Sequence, residues 1–233
     1  MKNLLNIDKA ALQAALKNTF PVFTGYLLLG FGFGVLWTTK DLPTFLAPIA
    51  SIAIYAGALQ YLAVEMLASH WDYFTIALTT LLVNARHLFY GLSLIDRYKN
   101  QGLKKIYLAW GLTDETYSLI TSHPHDENFK NYYFYVTLLD HLYWIFGSSL
   151  GVIAGKLLPF DATGMDFALT ALFIAIMTEQ WQNTDRHFGT LIGIISTLIC
   201  LMIFGEKNFL IAAMILIGIA LLGVRPYEKR RRL

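Results

Sequence analysis

Arg86 and His87 stand in "NARHLFYGLSLIDRYK" (84–99), inside a stretch otherwise as apolar as a membrane span. A lone guanidinium at such depth costs about 3 kcal/mol on insertion scales, so it normally faces a bundle interior or a wet cavity. Tyr90 follows one turn later, and Arg86, His87 and Tyr90 therefore make a polar strip on one helix. A cation beside a hydroxyl suits a carboxylate. The matching acids are Asp114 and Glu115 in "AWGLTDETYS" (109–118). Successive helical positions point about 100° apart, so the two acids cannot both face one partner. A break at Gly111 and Thr113 would instead expose half-helix ends, which bind the charged ends of a zwitterion. A carboxyl held out of water can take up and release a proton. That makes Asp114, and next to it Glu115, candidates for ion coupling.

The run "IYAGALQY" (54–61) puts Gly57, Gln60 and Tyr61 on one helix side. A small residue there admits a ligand or a backbone, and Gln60 supplies hydrogen bonds. Glu65 falls near an interface, and Gln180, Asn183 and His187 are explained by interface polarity. Asp140 and His141 fit an intramembrane pair or a packed polar patch equally. His123, His125, Asp126 and Glu127 look metal-like but occupy a polar loop without a second ligand cluster, so no metal is expected. The sequence has no G-x-S-x-G elbow, no H-E-x-x-H and no Walker glycine loop. The reading is therefore non-enzymatic, with no cofactor.

These residues must be held by apolar helices. Residue usage is 56% hydrophobic and 15% charged, against about 25% charged in soluble domains, and mean hydropathy is +0.49. The runs 18–39, 42–64, 188–205 and 208–224 contain no Asp, Glu, Lys or Arg. The expected class is an all-α polytopic membrane protein, with spans near 20–39, 43–69, 73–95, 131–156, 163–182, 187–205 and 208–225. Segment 104–122 either dips in or makes an eighth span. Residues 1–18 read as an amphipathic N-terminal segment, 19–225 as one transmembrane domain, and 226–233 as a basic tail. Lysines and arginines in the 96–105 loop and in "RPYEKRRRL" place both on the cytoplasmic side, which favours seven spans. Net charge of +2 argues against nucleic acid as a partner. Gly30/Gly34 and Gly147/Gly151 share a G-x-x-x-G spacing within two similar stretches, 30–60 and 147–180, as in an inverted repeat.

"YAGALQYLAVEML" (55–67), "NARHLFYGLSL" (84–94) and "WGLTDETYS" (110–118) together resemble the AzlC family of branched-chain amino acid permeases, in order and separation. Asn84 stands where an acid is expected before Ala-Arg-His, a departure that bears on the charge balance around Arg86. The resemblance implies export of leucine, isoleucine and valine, with methionine a further candidate, across a bacterial inner membrane. It also implies a small hydrophobic partner subunit of the AzlD type. Placed on the matched motifs, the expected substrate-binding set is Tyr55, Gly57, Gln60, Arg86, His87, Tyr90, Trp110 and Thr113. Asp114 and Glu115 form the expected ion-coupling set. Arg86 and Tyr90 would meet the carboxylate, Asp114 the ammonium or coupled proton, and Gly57 and Gln60 the side chain. The rivals are a channel or carrier for another small zwitterion, and a non-catalytic structural subunit.

Overall fold

The structure is a computed structural model. It describes residues 8–99, 101–122, 130–158, Ile174, Met177, Thr178, Trp181, Gln182 and 187–230. The described residues are helical and contain no strand. In chain order the helices are α1 (Lys9–Thr39), α2 (Leu46–Ala53), α3 (Gly57–Ala68), α4 (Tyr73–Tyr98), α5 (Lys104–Trp110), α6 (Asp114–Ser122), α7 (Lys130–Leu157) and α8 (Phe188–Arg230). The chain divides into two compact units, residues 1–169 and 170–233.

The first unit is organised around α1 and α7, which approach backbone to backbone through the two glycine motifs. A Cβ on Gly30 would lie 2.9 Å from the Ser148 nitrogen, and one on Gly147 would lie 2.6 Å from the Tyr26 carbonyl. Cβ atoms on Gly34 and Gly151 would overlap the Ser148 and Phe31 carbonyls. Small residues at this spacing let helix backbones meet where lipid and side chains are equally apolar, so close packing supplies the attraction. The paired motifs thus have a local role: they pack on each other. Most of the stretch 163–182, which carries a predicted span and the end of the second repeat copy, lies outside the described residues, as do Gln180 and Asn183.

Two segments are broken, and one of them was expected to be a continuous span. The 43–69 span becomes α2 and α3, separated at Tyr55, whose φ of 43° lies in the left-handed region. That conformation costs a non-glycine residue energy and persists only where the surroundings hold it. Gln60 does so, as its side-chain oxygen accepts the Ala56 N–H at 3.2 Å and the Trp144 Nε1–H at 2.9 Å. Its amide nitrogen donates to Ser51 Oγ at 3.2 Å. The second break, at Gly111–Thr113, falls where the sequence allowed one. Gly111 is required because a Cβ there would sit 2.7 Å from Thr137 Cγ2 of α7. Thr113 then caps α6, its hydroxyl oxygen accepting the Thr116 N–H at 3.2 Å, the usual service of a threonine N-cap.

Among the described residues, three helices are long and apolar enough to cross a membrane: Lys9–Thr39, Asn131–Leu157 and Phe188–Gly205. α1 begins at Lys9, so it joins part of the expected amphipathic segment to the first span without interruption. Arg97, counted above among loop cations, lies instead in the last turn of α4. Its guanidinium donates to the Ile120 and Thr121 carbonyls at the end of α6, where the helix dipole favours a cation. In the second unit, α8 reverses at Gly205 (φ 68°, ψ 174°), and a Cβ on Gly189 would be 4.0 Å from the Leu221 side chain. The segments expected as the spans 187–205 and 208–225 therefore fold back on each other as a helical hairpin.

Two predictions follow from this packing. Gly34→Val and Gly151→Val must push α1 from α7. Overpacking against movable side chains already costs about 1–3 kcal/mol, so both variants lose most of their folded yield in fluorescence-detected size exclusion. Gly25→Ala, with nothing within 4 Å of its Cβ, keeps that yield. The second prediction concerns Asp72, which caps α4. Thr75 donates to it from its hydroxyl (2.6 Å) and its N–H (3.0 Å), and these bonds hold its carboxyl below the usual range. A lowered carboxyl stabilises the folded form above its unfolded pKa and loses this as pH falls through the lowered value. Amide exchange at Thr75, corrected for intrinsic rate, should accelerate only in that acid window, and Asp72→Ala should remove the pH dependence.

Candidate functional site

The site is built on α6, which lies beside one stripe of α4. Arg86, Tyr90, Ser93 and Arg97 recur at helical spacing on α4, and each meets α6. Arg86 Nη1 lies 2.5 Å from Asp114 Oδ2 at the start of α6. The Tyr90 ring stacks on Tyr117 with centroids 4.4 Å apart, and Ser93 Oγ donates to the Tyr117 hydroxyl at 3.1 Å. Arg97 closes the far end. Arg86 thus finds its expected counter-charge in Asp114. Both side chains remain about 30% exposed, so the pair is reachable within this chain. Arg86 Nε and Asp114 Oδ1 are nonetheless buried and without a hydrogen-bond partner. One unused donor and one unused acceptor therefore flank the ion pair. His87, half-buried, sits at the edge of the strip with Nδ1 3.2 Å from the Asn84 carbonyl and its ring edge-on to Tyr90.

Glu115 turns away from Arg86, as adjacent helical positions must. The Tyr26 hydroxyl of α1 lies 2.7 Å from its Oε2 and 2.8 Å from Thr113 Oγ1. From there the polar contacts continue to Thr116 Oγ1 at 3.1 Å and to Asp140 Oδ2 of α7 at 2.8 Å. Asp140 is fully buried, and its Oδ1 has no partner.

Beside this line stands an aromatic wall. Tyr55, placed by the α2–α3 break, packs against His141 at 4.4 Å and Trp110 at 6.0 Å. The two nitrogens of His141 face the Tyr107 hydroxyl (3.1 Å) and the Ser51 carbonyl (3.3 Å). Gly57 is covered by Trp144, whose Cη2 would lie 3.2 Å from an added Cβ, and Gln60 is fully buried in the α2–α3 break.

The structure accordingly brings Arg86, His87, Tyr90 and Asp114 into one cluster. It gathers Thr113 and Glu115 into a second, with Tyr55 and Trp110 along the adjoining wall. Gly57 and Gln60 serve the backbone break and the seat of Trp144. Sequence reasoning missed Tyr26 and Thr116 and placed Arg97 in a loop rather than on α4. Tyr26 and Thr116 carry no signal beyond being polar in apolar helices, and Asp140 stood out only as an acid within a long apolar run. The loop holding His123, His125, Asp126 and Glu127 lies outside the described residues. Elsewhere among the described residues, no cluster of His, Cys, Asp and Glu suits a metal ion.

An all-helical chain with long apolar helices, two broken helices and charges enclosed at one break has the build of a helical membrane protein. The chain belongs to the AzlC family, whose AzlC protein profile matches residues 21–158. It is 37% identical to the branched-chain amino acid transport protein AzlC of Bacillus subtilis, over 94% of this chain and 88% of that protein. It is 38% identical to an uncharacterized membrane protein of Helicobacter pylori, over 91% of this chain and 94% of that one. It is 28% identical to the inner membrane protein YgaZ of Escherichia coli, over 79% of this chain and 82% of that protein. No solved structure matches the chain.

The ion pair yields a sharp expectation. Arg86→Gln and Asp114→Asn each strand one charge in an apolar setting, at about 2–3 kcal/mol. The double variant removes both charges and should recover more than half of the summed loss of thermal stability in detergent. If the pair only held helices together, activity would return with stability. If it binds a charged ligand, stability returns and activity does not.

Proposed function

We propose that the chain is the large subunit of a secondary transporter that exports branched-chain amino acids across the bacterial inner membrane. Leucine, isoleucine and valine are the proposed substrates, and methionine a further candidate. The observation that carries this reading is the Arg86–Asp114 pair with its unused Nε and Oδ1. A zwitterion brings one charge of each sign. Arg86, with Tyr90 beside it, takes the carboxylate, and Asp114 takes the ammonium, so the ion pair opens on binding and closes on release. Neither state leaves a bare charge in the bilayer, where each would be costly. The apolar and aromatic surfaces near Tyr55 and Trp110 suit a branched aliphatic side chain.

The break before α6 supports the same reading. Discontinuous helices at a membrane site are how many carriers present helix ends to ligands. Family membership and the name of the Bacillus subtilis relative support the substrate class. Glu115, turned from Arg86, is the counterpart for a proton that drives export. A small hydrophobic subunit of the AzlD type completes the transporter. Seven spans with a cytoplasmic C-terminus fit the cation-rich tail.

The test is leucine efflux from dipeptide-loaded cells that lack their own exporters, with both subunits expressed. The expected outcome is saturable, subunit-dependent efflux and counterflow of labelled leucine. Asp114→Asn should lower it at least about tenfold at unchanged protein level. Efflux that neither saturates nor shows counterflow would mean a channel. Normal efflux by Asp114→Asn would remove the central residue of the mechanism.

A further inference from the structure

The line of polar groups from Glu115 to Asp140 has a proton count that does not close. It contains four contacts in series: Glu115 to Tyr26 at 2.7 Å, Tyr26 to Thr113 at 2.8 Å, Thr113 to Thr116 at 3.1 Å, and Thr116 to Asp140 at 2.8 Å. Each hydroxyl owns one proton and can donate only once, so three hydroxyls supply three. Two ionised carboxylates supply none. With both ends ionised, one of the four contacts is oxygen facing oxygen with no hydrogen between, in a buried setting where unmade bonds are costly. A single added proton closes the count. Placed on Glu115, it sets every donor pointing towards Asp140; placed on Asp140, it reverses the whole line. The Thr116 N–H also donates to Thr113 Oγ1, which holds the middle of the line in place in either direction.

We propose that Glu115 and Asp140 share one proton through Tyr26, Thr113 and Thr116, and that this line is the proton-binding site of the carrier. The surroundings agree. Besides each other, the titratable groups facing the two carboxyls are Tyr26 from α1, Tyr55 from the α2–α3 break, Tyr107 from α5, Asp114 from α6 and Tyr132 from α7. His141 is next to Asp140 in sequence, but its nitrogens face Ser51 and Tyr107. Among the described residues no lysine or arginine lies within 4 Å of either carboxyl, since Arg86 is on Asp114. The unpartnered Oδ1 of Asp140 is cheaper to bury as the carbonyl oxygen of a neutral acid than as part of a carboxylate. Glu115 is partly exposed and Asp140 is not, so the line has an accessible end and a closed one.

The proton count predicts something a merely structural network would not. An amide at either end brings its own N–H donor. Glu115→Gln or Asp140→Asn therefore completes all four contacts without the extra proton, and the other carboxyl can stay ionised. Infrared spectroscopy of the full-length chain in lipid reads this directly. The wild type should show a protonated-carboxyl stretch that shifts in heavy water, and each single variant should lose it. A band missing from the wild type, surviving in both variants, or lost in only one of them would overturn the shared proton.

The role in transport rests on the carrier reading and has its own arm. In proteoliposomes holding both subunits, the ratio of pH-driven accumulation to leucine exchange should fall at least about tenfold in Asp140→Asn and Tyr26→Phe. Thr116→Ser, which keeps the hydroxyl, should preserve the ratio, and Thr116→Val should not. An unchanged ratio in Asp140→Asn would sink the coupling role. If the wild type moves no leucine at all, the transport reading fails, while the infrared result still decides whether the proton is shared.

Discussion

The backbone contact between α1 and α7 is the constraint on which the other arrangements rest. It comes from four glycines, and any side chain at their contact points would separate the helices. The polar groups of the site occupy the same stripes. Tyr26 is one turn before Gly30 and two before Gly34; Asp140 and Trp144 precede Gly147 and Gly151 at helical spacing. Where the glycines meet, the stripes are fixed in register. Tyr26 can then reach over α6 while Asp140 supports it from the other side. In an apolar solvent no hydrophobic force sorts inside from outside, so steric fit of this kind must do the sorting.

Within that frame, α6 is a short helix bearing unusual responsibility. Nine residues are too few to be stable alone, yet they carry both acids. Its neighbours hold it at each end: Thr113 caps the start, and Arg97 answers the carbonyls at the finish. The stacked Tyr90 and Tyr117 rings fix the face between. α4 explains why Arg86 can be tolerated in a long apolar segment: it is one of four residues on a stripe that together grip α6. The cost of the guanidinium is offset mainly by one carboxylate, and the rest of the stripe fixes where that carboxylate sits.

The features that sequence made legible are those that violate a simple pattern. Arg86, Asp114 and Glu115 stand out because charges are rare in apolar runs. The break at Gly111–Thr113 stands out because glycine and a capping threonine sit beside them. The break at Tyr55 could not be read, since Tyr-Ala-Gly in an apolar run fits a continuous helix and the opposing signal is Gln60's hydrogen bonding, a tertiary fact. Tyr26 and Thr116 were invisible for the same reason: a tyrosine or threonine in a helix gains its meaning from what lies opposite. Arg97 was misplaced because cations bordering a polar stretch look like loop residues, whereas here the last turn of α4 extends far enough to use one. The glycine motifs stand out by their spacing, but that they pack on each other is again a tertiary fact.

The adjacency of Asp114 and Glu115 ties these observations together. Consecutive residues on a helix diverge by about 100°, so one short helix presents one acid to α4 and the other to α1 and α7. Two separate electrostatic environments thereby share a rigid lever about two turns long. If Asp114 releases Arg86 to accept an ammonium, α6 loses its hold on α4 at the end where Thr113 and Glu115 meet Tyr26. A rotation of α6 large enough to serve the first event changes the Tyr26–Thr113 and Tyr26–Glu115 distances, because Thr113, Asp114 and Glu115 are consecutive residues at the start of α6 while Tyr26 stands on α1. Two sites on independent helices would need a path of intermediaries to influence one another. Here the coupling path is a single peptide bond, and the two sites can move independently only if α6 itself unwinds.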